Sequence, residues 1–197
     1  NKNKINLVDT PGDSNFIADT PASLRVVDGV VIVISAVDGI QFYTEKVWNW
    51  ATEQSIPKII FINKVDHPQA NIASVIESAK KQFDVNPFCV HVPVGIGEDF
   101  SGLVDVLASK QYTYQKDGSG THTVGAISET IVDKVKSSYA ELTESVAEVD
   151  DELTENYLEN GELSEQEFQI GLKKGLKQGG LLPIFLGSAT QNIGVDL

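Results

Sequence analysis

The sequence predicts an α/β fold, a mostly parallel sheet with helices on both faces, interrupted by an inserted α+β subdomain. Three observations predict it. Ile5 to Val8, Gly29 to Ser35, Lys58 to Ile62 and Leu182 to Leu186 are short, nearly continuous apolar runs, the first three rich in Val and Ile. Segments with helical period lie between the runs. The fourth run returns only after a long stretch of different texture that begins near Pro93.

Apolar runs of this kind read as strands buried on both faces, the habit of parallel sheets covered by helices. Val47, Trp48 and Ala51 mark a helix between the second and third runs. Ile72, Val75, Ile76, Ala79 and Phe83 recur at helical spacing after the third run. Strands and helices therefore alternate, which implies right-handed crossovers. Beyond Pro93, Gly95, Gly97 and Gly102 lie close together, and the turn-rich stretch Lys116 to Gly120 separates Tyr112–Gln115 from Thr121–Val124, a hairpin pattern. Ile127, Ile131, Val135, Leu142, Val146 and Val149 form the stripe of a long acidic amphipathic helical region. Ser164 with Glu167 is a capping box opening a helix over Glu165 to Lys177, which Gly179 and Gly180 stop. Pro183 cannot donate to a ladder, so the last strand is expected at a sheet edge. The expected division is a parent α/β domain over 1–92, an insertion over 93–180, and a return to the parent sheet over 181–197.

The chain has 197 residues, 41% hydrophobic and 22% charged, enough for one domain with a smaller one inserted, and excludes a disordered tail or a fibre. The net charge of −13 argues against a surface that grips nucleic-acid phosphates, and no direct sequence-specific nucleic-acid binding is expected. Glu129 to Glu167 holds 13 acids and two bases, so the acidity is regional. Its bland reading is a solvated face. Cys89 is the single cysteine, and no Cys/His cluster has zinc spacing, so a reducing, cytoplasmic compartment is expected. The longest apolar run, Gly29 to Val37, is too short to span a bilayer, and no membrane association is expected. His67, His91 and His122 are expected as ordinary surface or loop histidines, and at least one of Trp48 and Trp50 as core.

Three motifs stand at strand ends, where open α/β sheets bind ligands. Asp9-Thr10-Pro11-Gly12 follows the first run; an aspartate there can hold a nucleotide-bound Mg²⁺ through water, and the glycine exposes a backbone N–H to a terminal phosphate. The same residues also make ordinary turns. Asn63-Lys64-Val65-Asp66 follows the third run. A carboxylate can accept the N1–H and exocyclic amine of guanine together, the lysine stem can cover the base, and the asparagine can tie neighbouring loops. An N-capping Asn or Asp in a polar loop is the alternative. Gly187-Ser188-Ala189 follows the fourth run and can present a backbone N–H to guanine O6.

In this order, each at a strand end, the motifs make the chain resemble the G domain of a translational GTPase, most closely elongation factor G and its paralogues. That family's G domain carries an insertion, the G-prime subdomain, between the base-reading motif and the Ser-Ala motif. The stretches Ser23–Gly29, Thr44–Trp48, Asp150–Leu153 and Asn160–Glu167 fit as well. The resemblance implies a P-loop-NTPase-type fold, GTP/GDP and Mg²⁺ as ligands, Mg²⁺-assisted attack of water on the γ-phosphate, and action on the ribosome, with the stalk protein met by G-prime. It places Asp9, Thr10, Pro11 and Gly12 in switch II, Asp9 on the metal through water, Asn63, Lys64 and Asp66 on guanine, and Ser188 and Ala189 at the base site. A peptide-release or ribosomal-protection GTPase shares these motifs.

Two departures from the family matter. Its catalytic histidine follows the switch II glycine, whereas this chain has Asp13 there. A carboxylate about 4 Å from a γ-phosphate oxygen meets repulsion of about 4 kcal/mol per charge pair at an effective dielectric of about 20. Asp13 must be turned away, protonated or compensated, so the expectation is slow or differently triggered hydrolysis, or a nucleotide-sensing module without useful hydrolysis. Secondly, no Gly-x-x-x-x-Gly-Lys-Ser/Thr loop occurs, and no switch I threonine can be placed. The chain starts at Asn1 and contains no methionine. The expectation is a native protein longer at both ends.

Overall fold

The computed structural model describes residues 4–12 and 17–197. Its elements are α1 (Asp19–Leu24), β1 (Val30–Ser35), α2 (Phe42–Glu53), β2 (Lys58–Asn63), α3 (Ile72–Phe83), β3 (Asn86–Cys89), β4 (His91–Val94), β5 (Gly102–Asp105), β6 (Lys110–Tyr114), β7 (His122–Gly125), α4 (Val132–Ala147), α5 (Asp151–Asn160), α6 (Glu165–Gln178) and β8 (Leu181–Leu186). They build one four-stranded sheet in the order β1-β2-β8-β3 and a second in the order β4-β5-β6-β7. The first is parallel throughout and the second antiparallel.

Alternation along the parallel strands explains its layers. Ile32, Ile34, Ile60, Ile62, Ile184 and Leu186 point to one face and are buried against Trp48 of α2 and Val75, Ala79 and Phe83 of α3. Trp48 stacks on Phe83 with ring centroids 4.0 Å apart, joining the two helices. The other face is covered at the β3 and β8 end, where Phe88, Val90 and Leu181 pack on Leu142 and Val146 of α4 and Phe168 of α6. At the β1 end the described residues leave it bare: Val31 and Val33 are 56% and 61% exposed. Burial of β1 on both faces, as its apolar run implies, is not what the structure shows.

The first and last expected strands also differ. Residues 4–12 join neither sheet, and Ile5, Leu7 and Val8 are exposed. β8 is not an edge strand; it lies between β2 and β3. The reason is alternation of backbone groups. Ile184 O accepts from Val90 N on the β3 side, and Gly187 N donates to Ile62 O on the β2 side. Pro183 thus has its missing donor toward β2, where the ladder begins only at Ile60 opposite Ile184. The centre of a sheet tolerates a proline where one neighbour's ladder has not yet started.

The second sheet and helices α4 to α6 occupy the chain between β3 and β8. The hairpin β6–β7 pairs Tyr114 with His122. The helical stripe starts later than its apolar pattern: Ile127 and Ile131 precede α4 and pack beside Val92, Val104, Val106 and Val135. Ser164 and Glu167 form the capping box of α6, and Gly179 ends it in the left-handed conformation. His91 is neither surface nor loop; it is 1% exposed on β4, edge-to-face against Phe185. No helix among the described residues is long and apolar enough to cross a membrane.

Candidate functional site

Register brings the carboxyl ends of three strands level. Ser35 lies opposite Asn63 between β1 and β2, and Ile62 lies opposite Leu186 between β2 and β8. The loops after β1, β2 and β8 therefore leave one edge of the sheet side by side, although Ser35 and Leu186 are far apart in the chain.

Asn63 ties two of these loops together. Its Oδ1 accepts from the backbone N–H of Lys64 at 2.8 Å and from that of Ala189 at 2.9 Å. Its carbonyl accepts from Ala36 N at 2.8 Å, adding the loop after β1. Val65 is fully buried and anchors the next turn, its N–H donating to Gly187 O at 3.2 Å. Gly187 is sterically required here, because a Cβ would sit 2.4 Å from Ile193 O and 2.7 Å from the Phe61 ring. Ser188 is buried, and its Oγ accepts from Gln191 N at 3.3 Å.

Lys64 has φ +64°, the left-handed region that non-glycine residues enter at a cost of about 1–2 kcal/mol. Its surroundings hold it there. Its N–H is taken by Asn63, its carbonyl accepts from His67 N at 3.1 Å, and its Nζ lies 3.4 Å from Asp38 Oδ2. The Ser35 hydroxyl first, and then the Lys64 ammonium, hold the Asp38 carboxyl below the usual carboxylate range. Asp66 is half-buried in the same turn. Asp38 is a member of this cluster that the sequence motifs do not include. The signal available in the sequence is its place directly after an apolar strand and before Gly39, where it reads only as the close of the run.

The structure thus assembles Asn63, Lys64, Asp66, Ser188 and Ala189 at one sheet edge. Among the described residues no hydrogen bond or ion pair joins Asp9, Thr10, Pro11 or Gly12 to these loops. Asp13 lies outside the described residues.

A mostly parallel α/β sheet with helices, its loops after β1, β2 and β8 gathered at the carboxyl edge, is the fold of a P-loop-GTPase-type G domain. The chain belongs to the elongation factor Tu GTP-binding domain family, whose model matches residues 1–197. It is also similar to a crystal structure of a protein from Thermus thermophilus, with a TM-score of 0.83 and 25% identity over 95% of this chain. The match covers 28% of that longer chain.

Proposed function

We propose that this G domain serves an elongation-factor-G-type translational GTPase that binds GTP and GDP with Mg²⁺ and acts on the ribosome in the cytoplasm. The observation that carries the reading is the bridge from Asn63 Oδ1 to the amides of Lys64 and Ala189, which joins the two base-reading motifs. In this reading Asp66 accepts the N1–H and amine of guanine, and adenine leaves that carboxylate unpaired. The Lys64 stem covers the base. Reading O6 through the Ala189 N–H requires that amide to be shared with, or released from, Asn63 Oδ1.

At the triphosphate end, Gly12 would offer a backbone N–H to the γ-phosphate, with Thr10 and Pro11 shaping the turn. Asp9 is exposed, and its hard carboxylate suits Mg²⁺, which keeps several waters and takes one or two carboxylates beside phosphate oxygens. When bound, Mg²⁺ would neutralise charge on the phosphates. Asp9 would hold one of its waters, and the residue at position 13 would border the attacking water. The proposed division is a G domain over 1–92, G-prime over 93–180, which would meet the stalk protein, and a return over 181–197.

Asp13 favours a second reading, a guanine-nucleotide sensor that binds the ribosome without useful turnover, because a carboxylate next to the γ-phosphate opposes charge development. The test is GTP turnover of the full-length protein with and without ribosomes, alongside Asp13→His and Asp13→Ala, and binding of GTP and GDP against ATP. Guanine-selective binding with ribosome-stimulated turnover supports the GTPase reading. Guanine-selective binding with turnover that appears only in Asp13→His supports the sensor, and equal binding of ATP and GTP would end both.

A further inference from the structure

We propose that the second sheet positions the guanine-reading loop, with Tyr114 and Asp196 fixing the turn that carries Ser188 and Ala189. The inference rests on the guanine-binding reading above and assigns a role to residues which that reading leaves unused.

After β8 the chain runs through Gly187 to Ala189, turns at Asn192 with φ +53°, and comes back as Ile193. Ser188 and Ile193 exchange two backbone hydrogen bonds, each 3.0 Å long. The loop is therefore a closed turn with two sides. One side is held by Asn63, and the other is seated on the second sheet.

Three contacts make that seat. Ile193 is buried in one core with Leu103 of β5 and Tyr114 of β6. Asn192 lies against the β6–β7 turn so closely that a Cβ on Gly120 would meet its Nδ2 at 2.6 Å. The Tyr114 hydroxyl donates to Asp196 Oδ1 at 2.6 Å, across 82 residues of chain. Burial first, and then the Asp196 carboxylate, push the Tyr114 phenol up, so the hydroxyl keeps its proton as the donor. The second Asp196 oxygen lies 3.1 Å from His122 Nδ1.

An amide reads a carbonyl only when held within a few tenths of an ångström of its hydrogen-bonding position. Asn63 and the Val65 N–H, which donates to Gly187 O, restrain the turn from the β2 side. The Tyr114–Asp196 bond supplies the opposing restraint. It also makes the hairpin a lever, since whatever moves β6 and β7 moves the base-reading turn.

Tyr114→Phe and Asp196→Asn in the full-length protein test this, through release of ribose-labelled GDP and its displacement by GDP and by 6-thio-GDP, whose sulfur is a poor acceptor. Tyr114→Phe keeps the ring and the core. The expected result is GDP release faster by about 5- to 10-fold in Tyr114→Phe, in keeping with loss of one hydrogen bond of ordinary net strength, and by about 2- to 3-fold in Asp196→Asn. The preference for GDP over 6-thio-GDP should shrink in both. Release within about twofold of wild type in both variants overturns the proposal. So does weakening of GDP and 6-thio-GDP by one common factor, which is what general loosening would give. If wild type binds no GDP, the guanine-binding reading fails and this inference with it; normal GDP binding unaffected by the variants removes this inference alone.

Discussion

Asn63 and Ala189 are 126 positions apart in sequence, yet a 2.9 Å hydrogen bond joins the side chain of one to the backbone of the other. The carboxamide oxygen serves Lys64 N–H as well, so one side chain satisfies donors from two loops. An aspartate could accept both bonds but would bring a charge, and an alanine could accept neither.

Asn63→Ala is therefore expected to loosen both loops together. Loss of two ordinary hydrogen bonds costs about 2 kcal/mol, or a rise of about 30-fold in the Kd for GDP. Titration of the full-length protein with labelled GDP measures it. Asn63→Asp should fall between alanine and wild type, and an alanine variant with wild-type affinity would show that binding does not depend on the bridge.

Lys64→Gly separates stability from binding. Glycine relieves about 1–2 kcal/mol of left-handed strain, but loosens the unfolded chain by about 0.4–1 kcal/mol. It also loses an ion pair with Asp38 that is exposed and screened by solvent, a small contribution. These contributions nearly cancel, so Tm should move by less than about 3 °C. GDP affinity should fall about 10-fold as the stem over the base is lost. Calorimetric melting beside GDP titration of the same sample reads both.

Gly187→Ala should do the reverse and act on stability first. Its Cβ would lie 2.4 Å from Ile193 O and 2.7 Å from the Phe61 ring, so backbone must shift to admit it. Overpacking of this kind costs about 1–3 kcal/mol, a fall in Tm of about 3–10 °C. An unchanged melting point would mean that the turn has room the structure does not show.

His91 should make stability fall in mild acid. Burial holds its pKa below 6.5, although Asp105 and the Leu186 carbonyl pull it the other way. An unfolded chain takes up the proton at about pH 6.5, while the folded protein resists to lower pH. The unfolded state then binds more protons, so stability is complete above about pH 6.5 and is lost as pH drops toward the folded pKa. Urea midpoints at about pH 7.5 and about pH 5.5 should differ less in His91→Phe than in wild type. An equal difference in the two proteins would assign the acid sensitivity to other groups.

Legibility in the sequence follows how local each signal is. The helices α3 and α6 are readable because period and capping are properties of neighbouring residues: Asn71 Oδ1 caps α3 through Ser74 N at 3.1 Å, and Ser164 with Glu167 caps α6. Strand β3 is not legible, since Asn86–Cys89 reads NPFC and lacks the Val and Ile of its neighbours. It is a strand because Leu181 to Ile184 offer it a ladder from the far end of the chain.

By itself the sequence determined an α/β sheet and the motifs that stand at its strand ends, because these reside in short runs of neighbouring residues. Tertiary structure alone decided the order of the strands, with Pro183 in the centre of the sheet and Ile5 to Val8 outside it. It alone set Asp38 beside Lys64, Asn63 beside Ala189 and Tyr114 beside Asp196. The first two pairs follow from the register of β1, β2 and β8 and the third from seating the chain after β8 on the second sheet; register is settled by burying one face of every strand at once, a condition no single stretch of sequence contains.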